Sequence, residues 1–162
     1  MVIARNLVKE ASALDHLDNS ENGNNIPTAV YTQLIADGTY FAAEIDGALA
    51  GCGGWSRRAT LYGGDHSTSL RDDALLDPAR DPARVRAMYT SPDFTRRGVG
   101  RAILAASEAA ARAEGYATVE LMATLSGEPL YRAAGYREVE RCFSAPVAGV
   151  RVPLVRMRKP LT

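Results

Sequence analysis

Cysteine and histidine are almost missing from this sequence, with two of each in 162 residues. Cys52 and Cys142 lie far apart, as do His16 and His66, and no pair has the spacing of metal ligands, which argues against zinc. No motif ties a histidine to a cysteine, so a thiol nucleophile has no base; both cysteines are expected as free, buried thiols. Excess charge is missing too. Lys+Arg and Asp+Glu both number 19, so no global field draws the chain to nucleic acid or to an anionic membrane, and any cation site has to be local. No apolar run approaches the ~18 residues that a membrane span needs. The opening residues, MVIARNLVKE, lack the apolar stretch of a secretory signal. The expectation is a soluble, cytoplasmic protein with no metal, no nucleic-acid partner and no membrane partner. Its oligomeric state stays open, a homodimer included.

What is present reads as one domain over residues 1–162. Hydrophobic residues make up 46% and charged residues 23%, enough apolar material for a real core. Residues 7–17 carry Leu7, Val8, Ala11, Leu14 and Leu17 at helical spacing. Residues 18–25 form a polar breaker cluster, and 27–36 read as a second helix with Gly38 just beyond it. Two strands follow, 39–45 and 48–55, joined by Asp46-Gly47, the favoured pair for a tight hairpin. Gly51, Gly53 and Gly54 in the return strand point to a bulge or a close backbone approach. Residues 56–82 look irregular and long for a connection, with Leu70, Leu75 and Leu76 as its pins. Loops of this length often carry binding residues, so this one is expected to help shape an acceptor site.

The second half is more regular. A strand at 84–90 is stopped by Ser91-Pro92. Helix 99–114 is the strongest in the chain: seven of the 14 residues in 101–114 are alanine, the best helix former. A strand at 117–122, a short helix at 128–134 and a pair of strands at 136–142 and 150–157 complete it. The strand–helix–strand unit over 84–122 has to be a parallel crossover. The fold class is therefore α/β (α+β): a mixed, mostly antiparallel twisted sheet with a central parallel crossover.

Gly98 and Gly100 stand at the mouth of that alanine-rich helix, among Arg96, Arg97 and Arg101. Glycine lets backbone N–H groups converge without a Cβ in the way. The first turn of a helix has unpaired donors and the positive end of the dipole. A phosphate suits such a mouth; the alternative is a plain turn with solvated arginines. No Gly-Lys-Ser/Thr follows, so this is not a P-loop. A dinucleotide fingerprint would need glycine where Ile103 stands.

These residues resemble the GNAT superfamily of acyl-CoA-dependent N-acetyltransferases. Its pyrophosphate loop has the pattern Gln/Arg-x-x-Gly-x-Gly/Ala, here Thr95-Arg96-Arg97-Gly98-Val99-Gly100, with Thr95 departing at the first position. Residues 89–94, Tyr-Thr-Ser-Pro-Asp-Phe, look like the family's strand end and lead-in. Leu130-Tyr131-Arg132-Ala133-Ala134-Gly135-Tyr136 resembles its later Tyr-containing segment. The resemblance covers roughly 39–157; the first 38 residues match poorly and show no obvious first strand.

The resemblance implies acetyl-CoA as co-substrate and an acceptor amine that attacks directly. Acetyl-CoA would lie where strands 84–90 and 117–122 splay apart. The implied cofactor contacts are Thr95 and backbone N–H groups from Arg97 through Gly98, Val99, Gly100 and Arg101 to Ala102, with Arg96 beside them. Pantetheine would pair with Met88, Tyr89 and Thr90, and a backbone N–H near Met88 or Tyr89 would hold the thioester oxygen. Thr124 or Ser126 would replace the family's asparagine. Tyr131 matches the family's acid, which protonates the departing thiolate, and its phenol is protonated at neutral pH; a core aromatic is the plainer reading. Tyr136 reads as core. A lysine-like amine with a pKa near ~10.4 must lose a proton before attack, so a base or a water chain is needed. Glu44, Glu120, Asp65, His66 and Tyr89 are the candidates, none singled out. Trp55 either lines the acceptor site or sits in the core. The expected function is N-acetyl transfer to a small-molecule amine. An acyl-CoA-binding module without turnover and a protein or peptide N-acetyltransferase are the alternatives.

Overall fold

The computed structural model describes residues 1–6, 32–61, 74–146 and 148–162. The expected helix at 7–17, the loop at 18–25, residues 27–31 of the next helix and Leu70 lie outside the described residues. Among the described residues one sheet is built from β1 (Val2–Asn6), β2 (Tyr40–Ile45), β3 (Ala48–Ser56), β4 (Ala83–Thr90), β5 (Thr118–Thr124), β6 (Arg137–Phe143) and β7 (Pro153–Pro160). The strand order is β1-β2-β3-β4-β5-β7-β6. Only β4 and β5 run parallel, bridged by α2 (Val99–Ala113); α1 (Thr32–Ala36) precedes β2 and α3 (Glu128–Ala133) follows β5. This is the mixed sheet with one parallel crossover that the sequence implies.

β1 is the first strand that is not obvious from the sequence. It pairs antiparallel with β2, Val2 opposite Ile45 and Asn6 opposite Phe41. Five residues at a sheet edge are too few to display a two-residue period, and Val2, Ile3 and Ala4 are apolar in succession.

The two faces of the sheet are covered by different helices. α2 buries Val99, Ile103, Leu104, Ser107, Glu108 and Ala111, one stripe at helical spacing. Val99 and Ile103 pack with Ala43, Ile45 and Ala50, and Leu104 and Ala111 pack with Val85, Val119 and Leu121. Leu34 of α1 packs on the other face with Tyr40, Ala42 and Cys52. The glycines of β3 explain how closely α2 can lie. A Cβ on Gly51 would come within 2.7 Å of Val99 Cγ1, and one on Gly53 within 2.9 Å of Ile103 Cγ2. Both expectations for these glycines, bulge and close approach, are met.

Several side chains fall differently from the sequence reading. Trp55 is buried against Tyr116, with ring centroids 5.8 Å apart, so it belongs to the core and lines no acceptor site. Cys52 is buried as expected, but Cys142 is only partly so, because it lies on β6 at the sheet edge. Leu75 pairs by its backbone with Arg58 while its side chain is exposed. The connection over 56–82 is pinned by that bridge and by Leu76, which packs on the core. Its described flanks reach the C-terminal end of α2, where Arg57 Nε donates to Glu114 at 3.0 Å and Tyr116 Oη lies 3.4 Å from the Leu76 carbonyl. That end is roughly 22 Å from the α2 mouth, at 1.5 Å per residue.

Candidate active site

β4 and β5 are joined at only two places, Ala83 opposite Val119 and Arg84 opposite Glu120. β3 follows β4 as far as Thr90, and β7 follows β5 from Thr118 to Thr124. Beyond Arg84 and Glu120 the two strands therefore part, and a gap opens in the middle of the sheet. Ser91 donates its N–H to the Ala50 carbonyl at 2.8 Å. On an extended strand the neighbouring N–H, that of Thr90, then points the other way, into the gap.

A bulge accompanies the parting. The β3–β4 register shifts between Cys52 and Gly54, so that Ala87 and Met88 together stand opposite Gly53. Ala87 holds φ at 56°, a conformation that costs an L-residue about 1 kcal/mol or more. The Tyr40 hydroxyl lies 3.3 Å from the Ala87 carbonyl. Met88 packs into the core and Tyr89 against the cluster of Leu34, Tyr40, Ala42 and Cys52, so both offer the gap backbone rather than side chain.

The α2 mouth opens beside this gap. Gly98 has φ at 82° and caps the helix without any side-chain hydrogen bond. The helical ladder begins with Ala102, which donates to the Gly98 carbonyl at 3.0 Å, so the N–H groups of Val99, Gly100 and Arg101 come before it. Arg96 also lies at positive φ, 60°. The alternation turns successive amides inward, as in a nest for anions. A Cβ on Gly98 would meet nothing within 4 Å, whereas one on Gly100 would stand 2.8 Å from Leu130 Cδ2. Gly98 is thus needed for its conformation and Gly100 for room.

A cavity of about 840 Å³ occupies this mouth. Thr90, Thr95, Arg96, Gly98, Val99, Gly100, Arg101 and Ser126 line it, together with Pro129, Leu130 and Ala133 of α3. The first eight are expected from sequence; the three α3 residues are not, although their spacing puts them on one side of a short helix. Arg97 turns aside and stacks over Phe94 at 5.4 Å. Ala102 lies within the helix, one residue past the cavity wall. Thr124 is held in the turn after β5, where its hydroxyl lies 3.1 Å from Ser126 Oγ and accepts from the Gly127 N–H at 3.3 Å. Such a mouth fits a pyrophosphate: inward amides, no capping side chain and two cations on the wall.

Tyr131 is 9% exposed and packs edge-on to Tyr136 at 5.9 Å. Among the described residues nothing hydrogen-bonds its hydroxyl. Burial pushes the phenol up to about 12, so it holds its proton throughout the neutral range. Tyr136 is core as expected; it donates to Glu108 at 3.0 Å, and Lys159 Nζ reaches the other Glu108 oxygen at 2.8 Å.

The candidates for a base divide. Asp65 and His66 lie outside the described residues. Glu120 is buried beneath arginines: Arg84 donates to Oε1 at 2.9 Å and Arg158 Nε to Oε2 at 2.8 Å. Both of its oxygens are thus taken up by guanidinium donors. Glu44 lies far across the sheet on β2; of the described candidates, Glu120 and Tyr89 stand on the two strands that flank the gap.

Known proteins give this geometry a context. A family model described as an acetyltransferase (GNAT) domain matches residues 36–138. No curated protein matches the chain in sequence. The fold is similar to that of the ribosomal-protein-S18-alanine N-acetyltransferase from Escherichia coli, with a TM-score of 0.69, 17% identity, and 100% of this chain and 95% of that one covered. Ard1 from Thermoplasma volcanium gives 0.68 and 14%, covering 98% and 97%. yncA from Salmonella typhimurium, solved with its cofactor acetyl-CoA, gives 0.67 and 16%, covering 99% and 94%.

Proposed function

Since the chain belongs to the GNAT acetyltransferase family, we propose that it moves the acetyl group of acetyl-CoA to a primary amine of a small molecule by direct attack within a ternary complex. The observation that carries this reading is the gap between β4 and β5 lying against an uncapped helix mouth. Acetyl-CoA supplies an activated acyl thioester. The chain supplies the rest. The N–H groups of Val99, Gly100 and Arg101, with the Arg96 and Arg101 side chains, hold the pyrophosphate. The unpaired edge of β4 from Met88 to Thr90 binds pantetheine, with Ser126 on the far wall of the groove. A backbone N–H at the bulge stabilises the oxyanion.

Tyr131 keeps its proton because burial disfavours the phenolate, and it delivers that proton to the departing thiolate. With Glu120 engaged by arginines, a water chain at the gap is the route by which the acceptor ammonium loses its proton.

The test is release of free thiol from acetyl-CoA with a panel of small amines, beside a thermal shift with CoA alone. Binding at 100 times the dissociation constant stabilises a folded protein by about 2.7 kcal/mol. A CoA shift together with amine-dependent thiol release is expected. A shift without release on any amine leaves a binding module, and release only on peptides moves the acceptor to proteins.

A further inference from the structure

The gap runs through the sheet and so has a second mouth. The groove described above lies on the face of α2 and α3, which is the face of Val119, Leu121 and Ala123. Glu120 and Met122 alternate onto the opposite face. There Arg84 of β4 and Arg156 and Arg158 of β7 gather around Glu120. The Glu120 side chain is 2% exposed, whereas those of Arg156 and Arg158 are 32% and 46% exposed. Glu140 meets Arg156 at 3.1 Å from the solvent side. Within this cluster, among the described residues, three guanidinium groups share two carboxylates, a surplus of one positive charge. Their donors are not used up. Among the described residues the Nε atoms of Arg84 and Arg156 are buried without a partner, and Arg156 approaches Glu120 only to 3.7 Å, beyond hydrogen-bond reach.

We propose that the acceptor amine also carries a carboxylate, which docks on Arg156 and Arg158 at this second mouth; the inference rests on the acetyl-transfer reading above. A guanidinium offers paired N–H donors that match the two oxygens of a carboxylate. Arg158 already holds Glu120 through two of its nitrogens, so the surface displays the chemistry it would use on a ligand. Arg156 stands opposite Met122, one strand in from the edge of the gap, or about 5 Å. An acid held there leaves the amine of the same small molecule over the gap. The surplus charge also disfavours acceptors with several amines, so the face selects in both directions.

The test uses the full chain, acetyl-CoA, and matched pairs of acceptors: α-amino acids, β-alanine and 4-aminobutyrate, each against its carboxamide. The longer pairs differ little in amine basicity. At least one acid is expected to exceed its amide tenfold or more in kcat/KM. Arg156→Gln should bring that ratio to within threefold of unity and leave the KM for acetyl-CoA unchanged, and Arg156→Lys should restore part of it. The acids, and not the amides, should raise the melting temperature of the CoA-bound protein. Equal use of acids and amides, a preference that survives Arg156→Gln, or no acid-dependent shift in the CoA-bound protein overturns the proposal. The separate thermal shift with CoA alone keeps failure of this inference distinct from failure of the acetyl-transfer reading.

Discussion

The hydroxyl of Tyr40 lies 3.0 Å from the sulfur of Cys52 and 3.3 Å from the carbonyl oxygen of Ala87. It therefore ties β2 to the one residue of β4 with a left-handed backbone, across the intervening strand β3. The bulge at Ala87 and Met88 is where β4 turns away from regular pairing, and the backbone just beyond it borders the gap. A fastening here fixes where the following amides point.

Tyr40→Phe should accordingly act on two quantities. Losing a hydrogen bond to this half-buried carbonyl costs about 0.5–1.5 kcal/mol, readable as a lower urea midpoint. If the fastening also positions the β4 amides, kcat for acetyl transfer should fall severalfold with the KM for acetyl-CoA nearly unchanged. A stability loss with unaltered kcat would reduce Tyr40 to a packing role.

The two glycines of the α2 mouth should respond differently to substitution. Gly98→Ala places an L-residue at φ 82° with no new contact, and about 1 kcal/mol of stability should be lost. Gly98→Asn should lose less, since asparagine tolerates this region. Gly100→Val drives a branched side chain toward Leu130, which lies 2.8 Å from the Cβ position, and should abolish the CoA-induced thermal shift. Full CoA affinity in Gly100→Val would refute the phosphate cradle.

This mouth was legible in the sequence because glycines, arginines and a helix start crowd into six residues, 96–101. The parting of β4 from β5 was expected only through family resemblance, since no residue type in 84–90 or 117–122 announces it. The Tyr40 fastening was not legible at all: a tyrosine opening a strand reads as core, and its partner Ala87 is distant in sequence. Glu120 was read as a candidate base because its arginines come from two other strands, at 84, 156 and 158, which only the ladder brings together. Trp55 carried no local signal to choose between core and site.

Asp37 gives a pH prediction. Arg58 donates to both of its carboxylate oxygens, at 2.7 and 2.9 Å, and this hydrogen bonding holds the Asp37 carboxyl below its ordinary value near 3.8. A carboxyl depressed by folding contributes stability that is fully present above the unfolded value and is lost as pH falls through the folded one. Asp37→Asn should therefore lower the melting temperature at pH 6, and the difference from the wild type should shrink below pH ~4. A difference that stays constant down to pH 2.5 would show that the pair contributes nothing through its charge.

Tyr131→Phe removes one hydroxyl and keeps the ring. The ring packs edge-on to Tyr136 and sits in the core, and no described group bonds the hydroxyl, so the fold should survive with little loss of stability. If the hydroxyl protonates the leaving thiolate, kcat should fall while the CoA thermal shift stays intact. General acid catalysis contributes about 10²–10⁴-fold, or roughly 3–5 kcal/mol of barrier at 1.36 kcal/mol per decade. The loss should lie toward the low end, because a thiolate is already a tolerable leaving group and water can substitute for the acid. Two further readouts separate acid from packing. A model thioester with a less basic leaving thiol should narrow the gap between variant and wild type, since less proton transfer is needed. The wild type should also keep its thiol-release rate up to high pH, because burial lifts the phenol to about 12 and the proton is held until then. Loss of stability and CoA binding together in Tyr131→Phe would mark a packing residue, and normal turnover on an established acceptor would place the acid elsewhere.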